Sequence, residues 1–271
     1  MGVYGSTYVE TPNFDRIARE GVLFTQAYNC NPKCAPARAC LLTGRYSWQL
    51  EEACNHNPFL SERWAFYPFL LEDAGYYVGY TGKGWGPGEF NGYDASKSKE
   101  KRNPAGHPFL SEKLKPPYKG INSIDYAGNF EEFLKQRPKQ QPFCFWFGTK
   151  EPHRSYGKDN WKLDGRDLSK VTVPAYYPDN PTIRGDLADY AIEVEWYDQH
   201  IGGALEQLEK RGMLENTLII ATSDHGMPFP RVKGQIYDDG FHIPLAVRWG
   251  GQIKPGRVVT DFVTFPVPNK P

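Results

Sequence analysis

The stretch Thr217-Leu-Ile-Ile-Ala-Thr-Ser-Asp-His-Gly226 joins a continuous apolar run to a polar turn. Its first five residues, 217–221, predict a strand that is buried on both faces. Before it, apolar residues from Ile183 to Arg211 recur at three- and four-residue steps, which predicts a long amphipathic helix. A buried strand after a long helix is typical of α/β proteins, whose ligands bind beyond the carboxyl ends of the strands. Asp224 and His225 are therefore the first candidates for a functional site.

The same alternation of helices and strands extends along the rest of the chain. Strands are predicted at Val22 to Tyr28, Tyr76 to Tyr80, Pro142 to Gly148 and Ile243 to Trp249. Helices are predicted at Asn13 to Glu20, Ser61 to Ala74 and Asp125 to Arg137. We therefore expect a doubly wound α/β fold, with one mostly parallel sheet covered by helices on both faces.

Polar segments follow two more of these strands. Thr81-Gly82-Lys83 comes after one, and Lys150-Glu151-Pro152-His153-Arg154 comes after another. Because the carboxyl ends of parallel strands meet at one edge of a sheet, we expect both segments near Asp224. Two irregular stretches, Gly84 to Asn122 and Ser155 to Thr182, are long enough to be functional loops.

The composition argues against two classes of binding partner, nucleic acids and membranes. The 271 residues include 32 basic and 32 acidic side chains, so no overall charge attracts nucleic acid or an anionic membrane. No apolar run of about 18 residues could span a bilayer, and the first twenty residues lack the pattern of a signal peptide. Five cysteines without a Cys-x-x-Cys pair argue against a zinc ribbon and a complete disulfide framework. We expect a soluble chain with one main domain and no nucleic-acid or membrane partner.

Cys34 lies in the most specific motif of the sequence. Residues Cys34 to Gly44 read Cys-Ala-Pro-Ala-Arg-Ala-Cys-Leu-Leu-Thr-Gly. This resembles the signature of the type I, formylglycine-dependent sulfatases, which belong to the alkaline phosphatase superfamily. The resemblance covers nearly the whole chain and extends to the N-sulfoglucosamine sulfohydrolases. The further segments that carry it are Thr11 to Asp15, Pro152 to Arg154, Asp186 to Tyr190 and Thr222 to Pro230.

The resemblance implies a covalent mechanism that uses Cys34. In this family a maturation enzyme oxidises the cysteine to formylglycine, and the hydrate of that aldehyde attacks the sulfur of the substrate. A divalent metal, usually Ca²⁺, polarises the sulfate, and the resemblance places Asp224, His225 and Cys34 at the metal. Arg38 would hold the hydrate and its neighbours, Lys83 and Lys233 match the family's two sulfate-binding cations, and His153 matches a proton donor to the leaving group or a sulfate ligand. The implied partners are a sulfated glycan and the formylglycine-generating enzyme.

The sequence departs from the family in two ways. The Lys-x-His motif of the family reads Lys83-Gly84-Trp85, so protonation of the leaving group is expected to rest on His153 alone or on a residue from a loop. The family begins with a strand that ends in an Asp-Asp pair of metal ligands, and this chain starts after it. We therefore expect residues 1–271 to be a sulfatase N-terminal catalytic domain that lacks the first strand and the C-terminal subdomain, with exposed apolar surface as a consequence.

Several functional alternatives remain open on sequence alone. The favoured substrate is a heparan-type N-sulfoglucosamine, because of the segment from Thr222 to Pro230, but O-sulfatases share the same catalytic features. Phosphoester or phosphonate hydrolysis occurs on the same architecture, and an inactive truncated relic is a further alternative. The family resemblance implies a periplasmic, secreted or lysosomal location.

Overall fold

The structure is a computed structural model, and it describes residues 1–90 and 102–266. Its helices are α1 (Pro12–Glu20), α2 (Cys34–Thr43), α3 (Tyr67–Asp73), α4 (Tyr126–Gln136), α5 (Asn160–Asp164), α6 (Pro181–Lys210) and α7 (Asp238–Phe241). Its strands are β1 (Val22–Tyr28), β2 (Phe59–Leu60), β3 (Tyr77–Gly82), β4 (Glu89–Phe90), β5 (His107–Pro108), β6 (Phe143–Gly148), β7 (Leu218–Thr222), β8 (His242–Trp249), β9 (Arg257–Val259) and β10 (Val263–Thr264). The predicted alternation of helices and strands is confirmed.

The strands form two main sheets rather than the one sheet that was predicted. A five-stranded sheet has the order β10-β1-β8-β7, with β9 also paired to β1, and a three-stranded sheet has the order β5-β3-β6. The smaller sheet is parallel throughout, whereas β8 runs antiparallel to both β1 and β7. The segment between β7 and β8 holds only the short helix α7, so β8 lacks the helical crossover that a parallel return requires. The predicted mostly parallel pairing therefore fails at this strand, within an α/β class that is confirmed.

Helix α3 is shorter than predicted. The sequence pattern predicted a helix from Ser61 to Ala74, but the helix begins at Tyr67. Pro68 lies at its first turn, where the absence of a backbone N–H costs nothing, and Phe66 before it is extended. The proline therefore defines the helix start, and the preceding residues form turns.

Helix α6 is the longest element and carries a buried stripe. The side chain of Asn180 caps it by accepting hydrogen bonds from the backbone N–H groups of Thr182 and Ile183. The apolar residues that predicted the helix are all buried: Leu187, Ala191, Val194, Ile201, Leu205 and Leu208. Among the described residues, none of the helices combines the length and the apolar character needed to cross a membrane.

One hydrophobic cluster connects the two sheets. Its centre is Phe133 of α4, which is fully buried and stacks its ring against Tyr77 at a centroid distance of 4.9 Å. Leu23, Ala221 and Ala246 join the cluster from the larger sheet, and Phe143, Phe145 and Phe147 join it from the smaller one. Residues of α1 and α6 complete it. The two sheets are therefore packed on a common core.

Strands β6 and β7 are edge strands of their sheets in the described part of the chain. On β7, Leu218 is 49% exposed and Ile220 is 57% exposed, which is unusual for a continuous apolar strand. The final residues, 267–271, and residues 91–101 of the first long loop lie outside the described residues.

Candidate active site

The carboxyl ends of four strands meet at one place in the molecule. Asn29 follows β1, Lys83 follows β3, His153 lies five residues beyond β6, and Asp224 lies two residues beyond β7. Strands β1 and β7 are both antiparallel to β8 and therefore point in the same direction. The rule that ligands bind beyond the carboxyl ends of strands thus identifies the same place as the sequence did.

Cys34 is the first residue of helix α2 and lies at the buried end of this site. Its side chain is buried, with 2% of its surface exposed, and Lys33 before it is extended. The N-terminus of a helix carries a partial positive charge, which favours a thiolate over a thiol. Pro36 occupies the first turn of the helix, where its missing N–H removes no hydrogen bond.

His225 contacts the sulfur of Cys34 directly. The distance from Cys34 Sγ to His225 Nε2 is 3.3 Å, and His225 Nδ1 donates a hydrogen bond to the carbonyl of Gly226 at 2.7 Å. Nε2 is therefore the ring nitrogen that shares a proton with the sulfur. Burial would raise the pKa of Cys34, but hydrogen bonds from His153 and His225 and the charge of Lys83 lower it to about 3. The pKa of His225 is raised despite its burial by the same contact.

Asp224 and Arg38 form a largely buried ion pair beside the thiolate. Arg38 Nε donates to Asp224 Oδ2 at 2.9 Å, and its Nη1 donates to the backbone carbonyls of Lys83 and Gly84 at 2.8 and 3.1 Å. Burial opposes ionisation of Asp224, but the charges of Arg38, His225 and Lys83 hold its pKa well below the ordinary value. Arg38 therefore connects the helix of Cys34 to the ends of β3 and β7.

Lys83 supplies a second positive charge next to Cys34. Burial and the charge of Arg38 lower its pKa, while Cys34 and Asp224 partly restore it. Its backbone carbonyl also accepts the indole N–H of Trp146 at 3.1 Å. The backbone of Lys83 is thus held by this hydrogen bond, and its ammonium group is attracted by the charge of Cys34.

Trp85 replaces the histidine that the family motif would place two residues after Lys83. Its indole N–H donates to the carbonyl of Ala35 at 3.2 Å, and only 3% of the residue is exposed. The tryptophan therefore packs under the first turn of α2 and carries no proton for catalysis.

His153 and Lys233 lie at the outer rim of the site. Lys233 Nζ is 3.5 Å from His153 Nε2, and His153 Nδ1 donates to the carbonyl of Arg154 at 2.7 Å. His153 is exposed, unlike Cys34, so the site is buried at the sulfur and open at the imidazole. All seven residues that the sequence singled out, Cys34, Arg38, Lys83, His153, Asp224, His225 and Lys233, come together here.

Cys34, Asp224 and His225 are the cluster that could hold a metal ion among the described residues. One ligand atom from each lies within 4.8 Å of the others. Ca²⁺ takes six to eight oxygen ligands, as a rule. The three side chains offer one carboxylate, one imidazole and one sulfur, so by themselves they do not fit a complete calcium site.

Three supporting residues were not predicted. Asn29 Nδ2 donates to the backbone carbonyl of Asp224, at 2.5 Å. Glu151 is buried and accepts hydrogen bonds from the Tyr126 hydroxyl at 2.6 Å and from a backbone N–H at 2.7 Å, which fixes the segment that carries His153. Asn29 directly follows β1, and a polar residue directly after a strand is a sequence signal that could have identified it as a site residue. Tyr126 has no comparable sequence signal.

Comparison with curated proteins shows what the chain is similar to. It is 30% identical to the N-sulphoglucosamine sulphohydrolase of Homo sapiens, over 99% of this chain and 59% of the relative. It is 26% identical to an N-acetylglucosamine-6-O-sulfatase of Bacteroides thetaiotaomicron, over 94% of this chain and 61% of the relative. The chain spans about 60% of the length of these two relatives.

Solved structures share the fold. One of them, a complex of a protein with its substrate D-glucosamine-2-N,6-O-disulfate, matches with a TM-score of 0.71 at 21% identity. The match covers 98% of this chain and 71% of that chain. The family model described as Sulfatase matches residues 1–265, which is nearly the whole sequence. The chain therefore belongs to the sulfatase family.

Proposed function

We propose that the protein removes sulfate from a sulfated glycan and that Cys34, after oxidation to formylglycine, is its nucleophile. The observation that carries this proposal is the contact of Cys34 Sγ with His225 beside the Arg38–Asp224 ion pair. Once formed, the hydrate of formylglycine would supply one hydroxyl to attack sulfur and a second to expel the sulfate. Cys34 lies at the end of the site where the positive charges converge, as this chemistry requires.

The cations have separate tasks in this proposal. Lys83 and Lys233 approach the sulfuryl group from two sides and stabilise the charge on its oxygens. Arg38 is engaged by Asp224 and by two carbonyls, so it orients its neighbours rather than binding the sulfate freely. Placing fixed cations before the reaction avoids reorganisation in the transition state.

His153 is the proposed proton donor to the leaving group. Its Nδ1 is committed to the carbonyl of Arg154, which leaves Nε2 directed toward Lys233 and the open side of the site. A protonated imidazole can deliver its proton to the departing oxygen or nitrogen. Because Trp85 is packed against Ala35, the histidine of the family's Lys-x-His motif has no counterpart here, and His153 performs this step.

Calcium and maturation belong to the same proposal. Asp224 would hold Ca²⁺ through its carboxylate, with further oxygen ligands beyond the three clustered side chains, and the ion would polarise the sulfate. A formylglycine-generating enzyme must act on Cys34 first, and the family resemblance favours a periplasmic, secreted or lysosomal location. The whole of residues 1–271 would serve as the catalytic domain.

The proposed substrate is a heparan-type N-sulfoglucosamine. The segment from Thr222 to Pro230 supports this choice, as does the 30% identity to an N-sulphoglucosamine sulphohydrolase. The similarity to an N-acetylglucosamine-6-O-sulfatase makes O-sulfated glucosamine the alternative. Both substrates present the same sulfuryl group to Cys34 and differ in the atom that His153 protonates.

Mass spectrometry of the peptide that contains Cys34 tests the chemistry. In protein from a host with the maturation enzyme, we expect an aldehyde in place of the thiol. Release of sulfate from glucosamine N-sulfate, glucosamine 6-O-sulfate and a phosphonate ester is then measured for the protein and for His153→Gln. We expect N-sulfate to be preferred and the variant to be slower by about 10² or more. Unmodified cysteine in matured protein, or faster hydrolysis of the phosphonate, would refute the proposal.

A further inference from the structure

The turn from Pro230 to Gly234 connects the reactive centre to a neighbouring surface. Val232 in its middle is fully buried, so Arg231 and Lys233 project from fixed points on either side of it. The N–H of Gly234 donates to the carbonyl of Pro32 at 2.9 Å, two residues before Cys34. The turn is therefore attached to the loop of the nucleophile, and its Cα atoms at Arg231 and Lys233 are at most about 7 Å apart.

Arg231 adopts a backbone conformation that is unfavourable for its type. Its φ is +66°, in the left-handed region that side chains other than glycine rarely adopt. Strain of this kind is retained where the surroundings fix it, and it is frequent at binding sites. The strained residue here is one that presents a positive charge.

The guanidinium of Arg231 lies over aromatic rings instead of pairing with a carboxylate. Its central carbon is 4.4 Å from the ring centroid of Tyr237 and 5.9 Å from that of Tyr176. Among the residues that the structure describes, no carboxylate oxygen lies within ion-pair distance of it. The rings hold the guanidinium flat, so its N–H donors remain available to a ligand.

Both tyrosine rings are exposed, and the ring of Tyr176 is also held by contacts of its own. Tyr237 is 47% exposed and Tyr176 is 37% exposed. The hydroxyl of Tyr176 donates to Asp239, and its ring packs edge-on against Tyr177 at a centroid distance of 4.5 Å. Because Asp239 is engaged by this hydroxyl, it orients the ring beside the cation. Exposed, oriented aromatic faces suit the apolar faces of sugar rings.

We propose that Arg231, Tyr176 and Tyr237 form a subsite for a second, anionic sugar residue next to the one that loses its sulfate. The parts of the rings that the guanidinium leaves uncovered contact the sugar, and the guanidinium donates two hydrogen bonds to its carboxylate or sulfate. This inference rests on the proposed function and deepens it, because it requires an oligosaccharide substrate. The two anionic groups share the same chemistry and are separated by the experiment.

Calorimetric binding of glycans tests the subsite independently of turnover. The protein carries Cys34→Ser, and the ligands are glucosamine N-sulfate, its disaccharide with a uronic acid, and that disaccharide with the carboxyl group reduced. Arg231→Gln should weaken binding of the disaccharide but not of the monosaccharide. The dissociation constant of the disaccharide divided by that of the monosaccharide should rise about tenfold, as expected for loss of a charged hydrogen bond. If Arg231 binds the carboxylate, Arg231→Gln should not change the dissociation constant of the reduced disaccharide. A disaccharide with a second sulfate tests in the same way whether Arg231 binds a sulfate.

Lys254→Gln is the matched control, since it removes one exposed charge from the turn beyond the far end of β8. It should leave the ratio unchanged. Equal weakening of both ligands by Arg231→Gln, or a disaccharide that binds wild-type protein no better than the monosaccharide, would overturn the subsite. If the ratio changes as expected while the unsubstituted protein releases no sulfate, the subsite stands and the proposed function fails.

Discussion

The sulfur of Cys34 is linked to Arg38 by a continuous series of charged contacts. His225 contacts the sulfur, Asp224 lies beside His225 with 3.6 Å between Oδ1 and Nε2, and Arg38 closes the chain through Asp224. A buried charge is costly unless it is paired, so each member depends on the next. The signature around Cys34 predicted the residue types, but the direct imidazole contact is a result of folding.

Another buried carboxyl group, that of Glu193 on α6, leads to a prediction about pH. It is 2% exposed, its Oε1 has no hydrogen-bond partner among the described residues, and burial followed by the charge of Glu151 raises its pKa from 4.5 to about 8. The folded state therefore binds the proton more tightly than the unfolded state. Its contribution to stability is complete below pH 4.5 and is lost as the pH rises through 8.

Glu193→Gln should accordingly flatten the pH dependence of unfolding. The difference in unfolding free energy between the variant and the wild type should shift in favour of the variant by a few kcal/mol from pH 5 to pH 9. Each pKa unit of the shift is worth ~1.4 kcal/mol. Guanidinium unfolding at pH 5, 7 and 9 measures this, with the exposed Glu206→Gln as the control. If the unfolding free energy varies with pH identically in the wild type and Glu193→Gln, the carboxyl group is not protonated in the folded state.

At the scale of elements, the ends of strands β1, β3, β6 and β7 build the site. Each strand was recognisable from its apolar run, and the residues just beyond it are the ones that converge. The direction of β8 was not predictable in this way, because an apolar run does not specify whether its neighbours are parallel. The start of α3 was misplaced because Pro68 begins a helix as readily as it breaks one.

Helix α6 offers a test of capping at this scale. Removing the side chain of Asn180 leaves the N–H groups of Thr182 and Ile183 without their acceptor. Asn180→Ala should lower the free energy of unfolding by about 1 kcal/mol, and Asn180→Asp should restore it. Urea denaturation at constant pH measures both. An alanine variant as stable as the aspartate variant would mean that the cap contributes nothing.

The whole molecule is organised by the cluster around Phe133. Five aromatic rings surround this side chain with centroid distances from 4.5 to 6.2 Å, and they come from α4, from the smaller sheet and from the loop after β5. The same cluster includes Leu23 and Ala221 of the larger sheet. Packing across both sheets should make them unfold together.

Phe133→Ala tests this cooperativity. We expect a loss of about 3–5 kcal/mol in stability, because a large cavity is left in a fully buried place. Far-ultraviolet circular dichroism and tryptophan fluorescence should report one coincident transition, shifted to lower denaturant. Phe262→Ala, at a side chain that is 79% exposed, is the control and should shift it little. Two separate transitions in the Phe133 variant would mean that the sheets are independent units.

The sequence by itself determined the α/β class, most strand and helix positions and the residue types of the site, since these depend on local periodicity and on a motif of adjacent residues. Cys34 and Arg38 lie on one helix, and Asp224 and His225 are neighbours in the chain, so the closeness within each pair could be predicted from the sequence. Only the tertiary structure decided the split into two sheets, the reversal of β8 and the position of Arg231 over Tyr176 and Tyr237. Those features depend on contacts between distant segments, which are selected by packing and electrostatics in three dimensions.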